Sequence, residues 1–249
     1  MFPICPKCRL PLDADAAPAA CPQCGLVFAK YLASQRGEPL HVPTDTEPPK
    51  DNVRWWERFL EIPDRCERWQ VQLRACVYVL FVLWGWRIAS MDIRSGEITE
   101  SFMHGINLVF HEAGHVFFMF FGRFLNVAGG TLGQWLMPII AGVALHWKNR
   151  DNFGASLALW WLAVSFMDAA PYAWDAANPV LPLLGGGTGA DRDHDWIIML
   201  GDTGLIKRAH GVGRLLHVTG LALLVLANVW GALVLRRQFR HRPEVVADN

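Results

Sequence analysis

Charged residues are scarce in this chain, and neither sign of charge dominates. Only 18% of its 249 residues are charged, whereas 52% belong to the hydrophobic set; soluble domains carry roughly 25% charged residues. Lys plus Arg and Asp plus Glu both number 23, so no overall basic field attracts nucleic acid. The composition excludes an ordinary soluble domain, a disordered chain and a collagen, and no nucleic-acid partner is expected.

Cysteine is rare beyond residue 24. Four of the six cysteines form two CxxC pairs separated by twelve residues, namely Cys5 with Cys8 and Cys21 with Cys24. This spacing is typical of a structural zinc site with four thiolate ligands, which closes a segment too short for an apolar core. Two disulfides are the alternative, but no apolar export segment occurs in the first 70 residues. We therefore expect a zinc ribbon over residues 1–32 in a reducing cytoplasm.

Changes in composition suggest how the rest of the chain is divided. Residues 33–52 have the Pro, Gly and charge content of a flexible linker. Residues 53–69 interleave Trp and Phe with Arg, which favours an amphipathic helix on the membrane surface, broken at Pro63; a plain connector is the alternative. We expect a membrane domain over 70–236 and a cytoplasmic tail over 237–249.

Long apolar segments occupy most of the expected membrane domain. Each approaches the roughly 20 residues that a helix needs to cross the hydrocarbon core. They lie at 71–90, 102–122, 124–147, 153–174 and 212–235. The sequence thus predicts an all-α polytopic membrane protein with about four or five membrane segments and a small N-terminal zinc ribbon. We expect it in the inner (plasma) membrane with its N-terminus in the cytoplasm.

The basic flanks of this domain conflict with five full crossings. Arginines precede the first segment and follow the last, yet five crossings would put those flanks on opposite sides, against the positive-inside rule. One hypothesis is that segment 124–147 is re-entrant, which also places Lys148 and Arg150 in the cytoplasm. The segment is interrupted by Gly129, Gly130, Gly133 and Pro138.

The second apolar segment contains an HExxH motif, formed by His111, Glu112 and His115. On a helix the two imidazoles lie one turn apart on one face and can share a metal ion, while Glu112 can take a proton from water. Ionisable groups in hydrocarbon are costly unless they are partnered, which favours a ligand. An interhelical hydrogen-bond cluster is the alternative. His104 and Asn107 extend the same face, as packing residues or as partners of the ligands.

Two histidines leave a catalytic zinc one protein ligand short. Asp168, deep in the fourth apolar segment, is the first choice, although an aspartate there also suits helix packing. His194 and Asp195 follow a glycine-rich run and are the alternative third ligands; a solvated loop with a helix cap is the other interpretation of that region. No glycine run ends in GK[ST], so a nucleotide site is not expected.

An HExxH motif in a membrane helix, followed by a Gly-interrupted segment and a helix bearing an aspartate, resembles the site-2 protease family of intramembrane zinc metallopeptidases. The resemblance covers roughly residues 102–175. It implies that His111, His115 and a later aspartate bind zinc, that Glu112 is the general base, and that the substrate is a membrane-spanning segment. Asp168 matches by its setting alone, because Met-Asp-Ala stands where the family has Leu-Asp-Gly.

Taken together, these features favour an intramembrane zinc metallopeptidase with one catalytic and one structural zinc ion. Its expected partners are the lipid bilayer, a membrane protein as substrate, and a protein docked on the zinc ribbon. The alternative is a non-catalytic membrane scaffold or assembly factor that keeps its metal for structure. An ion or proton pathway through His104, His111, Glu112 and Asp168 is a further alternative.

Overall fold

The computed structural model describes residues 3–12, 19–35, 56–62, 67–184, 186–191 and 194–240. The chain divides into two compact units, Met1–Val53 and Arg54–Asn249. Most of the predicted linker 33–52, Pro63 and all but the first four residues of the predicted tail lie outside the described residues. Within the described part the chain is all-α apart from isolated β-bridges, as the composition predicted.

The N-terminal unit consists of two similar knuckles and a short helix. In each knuckle the backbone N–H of the first cysteine donates to the carbonyl of the fifth residue after it. The residue after the second cysteine adopts the left-handed conformation, with φ of 59° at Arg9 and 68° at Gly25. Helix α1 (Phe28–Gln35) follows, and its first residue packs against the buried Cys5 and Cys21.

In the residues that the structure describes, the second unit is a bundle of six α-helices. They are α2 (Arg68–Ala89), α3 (Phe102–Phe118), α4 (Arg123–Val143), α5 (Asn152–Asp175), α6 (Asp195–Asp202) and α7 (Ala209–Arg240). Four helical segments are long and apolar enough to cross a membrane, which supports the prediction of a membrane protein. These segments are Arg68–Ala89, Arg123–Lys148, Asn152–Asp175 and Ile206–Arg240.

The segment predicted to be re-entrant is one uninterrupted helix. Helix α4 continues through Pro138 and ends in a π-helical turn at Ala144–Lys148, so the chain does not reverse within 124–147. Neighbouring atoms fill the space that side chains would take at its glycines; Gly129, for example, lies against the carbonyl of Gly114. This finding corrects the re-entrant hypothesis. Helix α3, with 17 residues, is not among the four described segments that are long and apolar enough to cross a membrane.

Only part of the predicted interfacial helix 53–69 lies within the described residues. There, Glu57–Leu60 forms a single 3₁₀ turn instead of a long helix. Asn152 Nδ2 donates to two carbonyls around this turn at 2.8 Å each, and Trp230 Nε1 donates to the carbonyl of Phe59 at 2.6 Å. These hydrogen bonds tie residues 56–62, hereafter the strap, to α5 and α7.

Basic residues gather at the end of the bundle that carries the strap. Arg150, between α4 and α5, pairs with Glu61 at 2.9 Å, and Arg74 of α2 pairs with Asp151 at 3.4 Å. Arg237, near the end of α7, donates to a carbonyl of the strap at 3.2 Å. The beginning of α2, the α4–α5 connection and the end of α7 therefore lie together. Four crossings with this end in the cytoplasm satisfy the positive-inside rule.

Glycines allow the central helices to approach closely. A Cβ on Gly213 or Gly220 of α7 would lie only 2.8 or 2.7 Å from a backbone carbonyl oxygen of α5. Helices α3 and α4 meet in the same way, because a Cβ on Gly114 would overlap the carbonyl of Gly129. Close backbone packing of this kind is typical of helices in membranes. It places the HExxH motif directly against α4.

The clustering of the basic ends predicts the topology. Reporters fused after Arg150 and after Arg240 are expected on the same, cytoplasmic side of the membrane, because both sites belong to the basic end of the bundle. A reporter after Ser95, in the α2–α3 connection, is expected on the opposite side. Paired alkaline phosphatase and fluorescent-protein fusions measure this. A periplasmic or luminal Arg150 would contradict the arrangement.

Candidate metal centre

The two histidines of the HExxH motif and Asp195 converge on one point. His111 and His115 share a face of α3, and Asp195 is the first residue of α6. Asp195 Oδ2 lies 2.9 Å from His111 Nε2 and 3.1 Å from His115 Nε2. All three side chains are largely but not completely buried. The residue that reaches the histidine pair is thus one of the two alternative third ligands.

A second hydrogen bond orients each imidazole. His115 Nδ1 donates to the carbonyl of Asn126 at 2.8 Å, and His111 Nδ1 lies 3.3 Å from Gln134 Oε1. Gln134 Nε2 donates to the carbonyl of Ser165 at 3.0 Å, which turns the Gln134 oxygen toward His111. With Nδ1 as the donor in both rings, the Nε2 lone pairs of the neutral imidazoles face Asp195.

Three electron-rich atoms at this spacing need positive charge between them. Protonated imidazoles can supply it: burial raises the pKa of Asp195, but hydrogen bonds donated by His111 and His115 outweigh burial and lower that pKa to about 2. A divalent metal ion supplies the same positive charge while the histidines stay neutral. Tetrahedral zinc with bonds of about 2.0–2.1 Å would separate its ligand atoms by about 3.4 Å, close to the observed spacing. The donor set therefore fits a metal ion.

Gly130 provides the space in which the histidines converge. It lies in α4 directly against the Nε2 atoms of His111 and His115, and a Cβ at this position would overlap both rings. Because interiors are closely packed, any side chain here would displace the imidazoles. The sequence indicated Gly130 only as an interruption of an apolar segment.

The three residues open into a cavity of about 430 Å³. Glu112, which separates the two histidines along α3, lines the same cavity. The other polar side chains that line it are His104, Thr131, Gln134, Asp168, Tyr172 and His194. Three protein ligands beside an accessible cavity are typical of a catalytic metal site, whereas a structural zinc site is closed by four.

Asp168, the first choice for the third ligand, belongs to a different network. Its Oδ1 lies 2.9 Å from His104 Nδ1, and its Oδ2 accepts from Asn107 Nδ2 at 3.0 Å. Asn107 Oδ1 accepts from Ser165 Oγ at 3.0 Å and from Trp161 Nε1 at 2.9 Å. Because an indole N–H can only donate, this contact fixes the orientation of the Asn107 amide. The network engages both Asp168 oxygens between α3 and α5, which corrects the expectation that Asp168 joins the histidine pair.

His194 and Asp195 have separate tasks at the beginning of α6. His194 is the N-cap, and its Nδ1 accepts from the backbone N–H of Trp196 at 3.1 Å. The capping role considered for this region thus belongs to His194, while the neighbouring Asp195 side chain reaches the histidines. The other carboxylate near this end of the bundle, Asp175, accepts from the backbone N–H groups of Val180 and Leu181.

The four N-terminal cysteines form a second group that can hold a metal ion. Their sulfur atoms lie within 4.8 Å of one another. Cys5 Sγ is 3.7 Å from Cys24 Sγ, and Cys8 Sγ is 3.5 Å from Cys21 Sγ. These distances are far from a disulfide bond of about 2.05 Å and close to the roughly 3.8 Å expected between the thiolates of tetrahedral zinc. The cysteines are free thiols, as the zinc-ribbon prediction requires.

Three contributors to the site were not predicted from the sequence, namely Asn126, Gly130 and Gln134. Asn126 contributes a backbone carbonyl, which no side-chain pattern reveals. Gln134 is an isolated amide within the apolar run TLGQWLMPII. A polar side chain in hydrocarbon is expensive to bury without a partner, so this position carried a usable signal.

Comparisons of the chain with protein-family models, with curated proteins and with solved structures find no match.

The two aspartates are expected to respond differently to amide substitution. Asp195→Asn removes the negative charge that faces both Nε2 atoms, so the metal content should fall from two ions per chain to one. Asp168→Asn should keep two ions. It replaces one carboxylate oxygen with an N–H2 group, which can no longer accept from His104 Nδ1 or Asn107 Nδ2, so the fold should be destabilised by roughly 1–3 kcal/mol. Elemental analysis of detergent-purified protein, with thermal unfolding, checks both. A metal loss confined to Asp168→Asn would reverse the assignment.

Gly130→Ala is expected to empty the membrane metal site, because the new methyl group overlaps both imidazoles. The matched control is Gly142→Ala in the same helix, where the added Cβ meets only Ala158 Cβ at an ordinary 3.4 Å. Metal content measured by elemental analysis should be one ion per chain for the first variant and two for the second. Equal metal contents would show that Gly130 does not shape the site.

Proposed function

We propose that this protein is an intramembrane zinc metallopeptidase that hydrolyses peptide bonds of membrane-embedded substrates. One observation carries the proposal: His111, His115 and Asp195 converge beside Glu112 on the wall of a cavity. A metal kept only for structure needs neither an open cavity nor a free carboxylate between its histidines. Both features favour hydrolysis over the scaffold alternative.

Zinc is the metal that best suits both groups. Two imidazoles and a carboxylate form the kind of ligand set that zinc hydrolases use, and four thiolates in two CxxC pairs are typical of structural zinc. His111, His115 and Asp195 would hold the zinc ion, which would supply a Lewis acid able to lower the pKa of water to about 7 and to polarise the scissile carbonyl. We therefore propose one catalytic and one structural zinc ion per chain.

Glu112 is the proposed general base. Its carboxylate lies on the cavity wall between the two histidines in sequence, where it can take a proton from the attacking water. The same carboxyl group can then deliver the proton to the leaving amine. Gln134 and the carbonyl of Asn126 support this chemistry because they keep the Nε2 atoms of both imidazoles directed at the site.

The shape of the cavity favours an extended peptide as substrate. His104, held by Asp168, lines the cavity two helical turns before His111, which is about 10 Å along α3. Three residues of an extended chain span that distance. The cavity thus has room for a short unwound segment across the proposed zinc site.

The surroundings of α3 favour a substrate that arrives from the bilayer. Apolar side chains are exposed on this helix, among them Phe102, Val109, Val116 and Phe117. In a membrane these side chains face hydrocarbon or another transmembrane segment. A membrane-spanning protein is therefore the proposed substrate.

The basic end of the bundle supports an orientation with that end in the cytoplasm. The zinc ribbon would then also be cytoplasmic, in the compartment where its thiols stay reduced. We propose that the protein resides in the inner (plasma) membrane and that the ribbon docks a protein partner.

Glu112→Gln is expected to keep both zinc ions and to abolish cleavage, because the amide fills the same space but cannot accept the proton. Loss of the general base should slow hydrolysis by about 10²–10⁴-fold. Quantitative analysis of new protein termini in membranes that express each variant identifies substrates and measures the loss.

The matched control for this experiment is Glu100→Gln. Glu100 is an exposed carboxylate in the turn before α3 and does not line the cavity. The Glu100→Gln variant should cleave substrates at the wild-type rate. Cleavage of a confirmed substrate by Glu112→Gln at the wild-type rate would sink the mechanism.

A further inference from the structure

His194 is the most deeply buried histidine that lines the cavity. It is only 3% exposed, and its ring lies 5.8 Å from that of Tyr172. Gly189 packs against the other side, since a Cβ there would lie 2.9 Å from His194 Cδ2. The ring is thus held in one orientation immediately before Asp195 in the chain.

The hydrogen bond at Nδ1 fixes the protonation of this ring. Nδ1 accepts from the backbone N–H of Trp196 at 3.1 Å, so it must carry a lone pair. A neutral imidazole with a lone pair on Nδ1 carries its proton on Nε2. His194 therefore presents an N–H donor at Nε2 and cannot use Nδ1 as a metal ligand.

This Nε2–H lacks a partner within the described part of the chain. The atom is buried and makes no hydrogen bond there. A buried donor without an acceptor costs roughly 1–3 kcal/mol, and such groups usually have a function. His194 is one of the residues that line the cavity, so we infer that the missing acceptor is a group bound there.

We propose that His194 Nε2–H donates a hydrogen bond to the carbonyl oxygen of the scissile peptide. The inference rests on the proposed peptidase function. The negative charge that develops on this oxygen during attack is best stabilised by a donor already fixed in place, because no reorganisation is then needed. The α6 N-cap supplies that rigidity, and the neighbouring Asp195 ties the donor to the proposed zinc site. His194 becomes a catalytic residue that binds substrate and not metal.

Two substitutions separate the cap from the donor. His194→Asn keeps an oxygen near the position of Nδ1, and asparagine is a good N-cap, but the variant lacks a donor at the Nε2 position. His194→Gln places an amide N–H2 close to the position of Nε2 and loses the cap. His194→Asn removes the N–H donor while α6 keeps an N-cap. His194→Gln shows whether a different N–H donor at the same place restores the interaction.

Binding of acetohydroxamate to the Co²⁺-loaded full-length protein in detergent is the measurement. Acetohydroxamate holds a metal ion through two oxygens, one of which mimics the carbonyl oxygen that His194 would contact. The change in the visible spectrum of Co²⁺ on adding acetohydroxamate reports only a metal site with an open coordination position. A four-thiolate site has none. The His111→Ala/His115→Ala variant should give no difference spectrum.

The expected result is a Kd about tenfold higher for His194→Asn and within about threefold of the wild type for His194→Gln, with two Co²⁺ ions per chain in both. Equal Kd values for the wild type and His194→Asn would overturn the donor role and leave the peptidase proposal intact. Loss of one Co²⁺ ion from His194→Asn would overturn it too, because His194 would then be a ligand. Absence of Co²⁺ from the membrane site of the wild type would instead overturn the peptidase proposal itself.

Discussion

Two imidazole nitrogens and a carboxylate oxygen face one another at 2.9 and 3.1 Å, and lone pairs at that spacing repel unless positive charge lies between them. The rest of the site depends on this constraint. Helix α3 presents both nitrogens because they are one turn apart, and α6 presents the oxygen. Helix α4 supplies the amide and the carbonyl that hold the imidazoles in place. A cation at this point would join α3 directly to α6.

The site can form only because α3 and α4 approach so closely. Gly114 lies against Gly129, and Gly130 lies against both imidazoles, so backbone stands where side chains would otherwise separate the helices. Glycine inside a helix normally lowers stability by about 1 kcal/mol relative to alanine. At Gly130 this loss of stability accompanies the space that the two imidazoles occupy. These glycines therefore lie at the contact between α3 and α4, and α4 continues through them as one helix.

Two buried aspartates illustrate how surroundings decide the role of a carboxylate. Asp168 is surrounded by donors, and the indole N–H of Trp161 fixes the direction of the whole chain of hydrogen bonds through Asn107. Both of its oxygens are satisfied, so it has little left to offer a metal ion. Asp195 faces two imidazole nitrogens with the same oxygen. Because both aspartates line one cavity, the network of Asp168 shapes part of the wall around the candidate metal site.

The amino-acid sequence by itself determined the features that depend on composition and local spacing. The apolar segments, the two CxxC knuckles and the histidine pair were predictable because helix period and chain connectivity bring those residues together wherever the rest of the chain lies. Tertiary structure alone decided the third candidate ligand, since His111 and Asp195 are 84 residues apart and no local rule relates them. It also decided how closely segment 124–147 packs, because atoms of α3 occupy the space beside Gly129, Gly130 and Gly133. Local patterns identify the chemical groups, but only packing decides which of them meet.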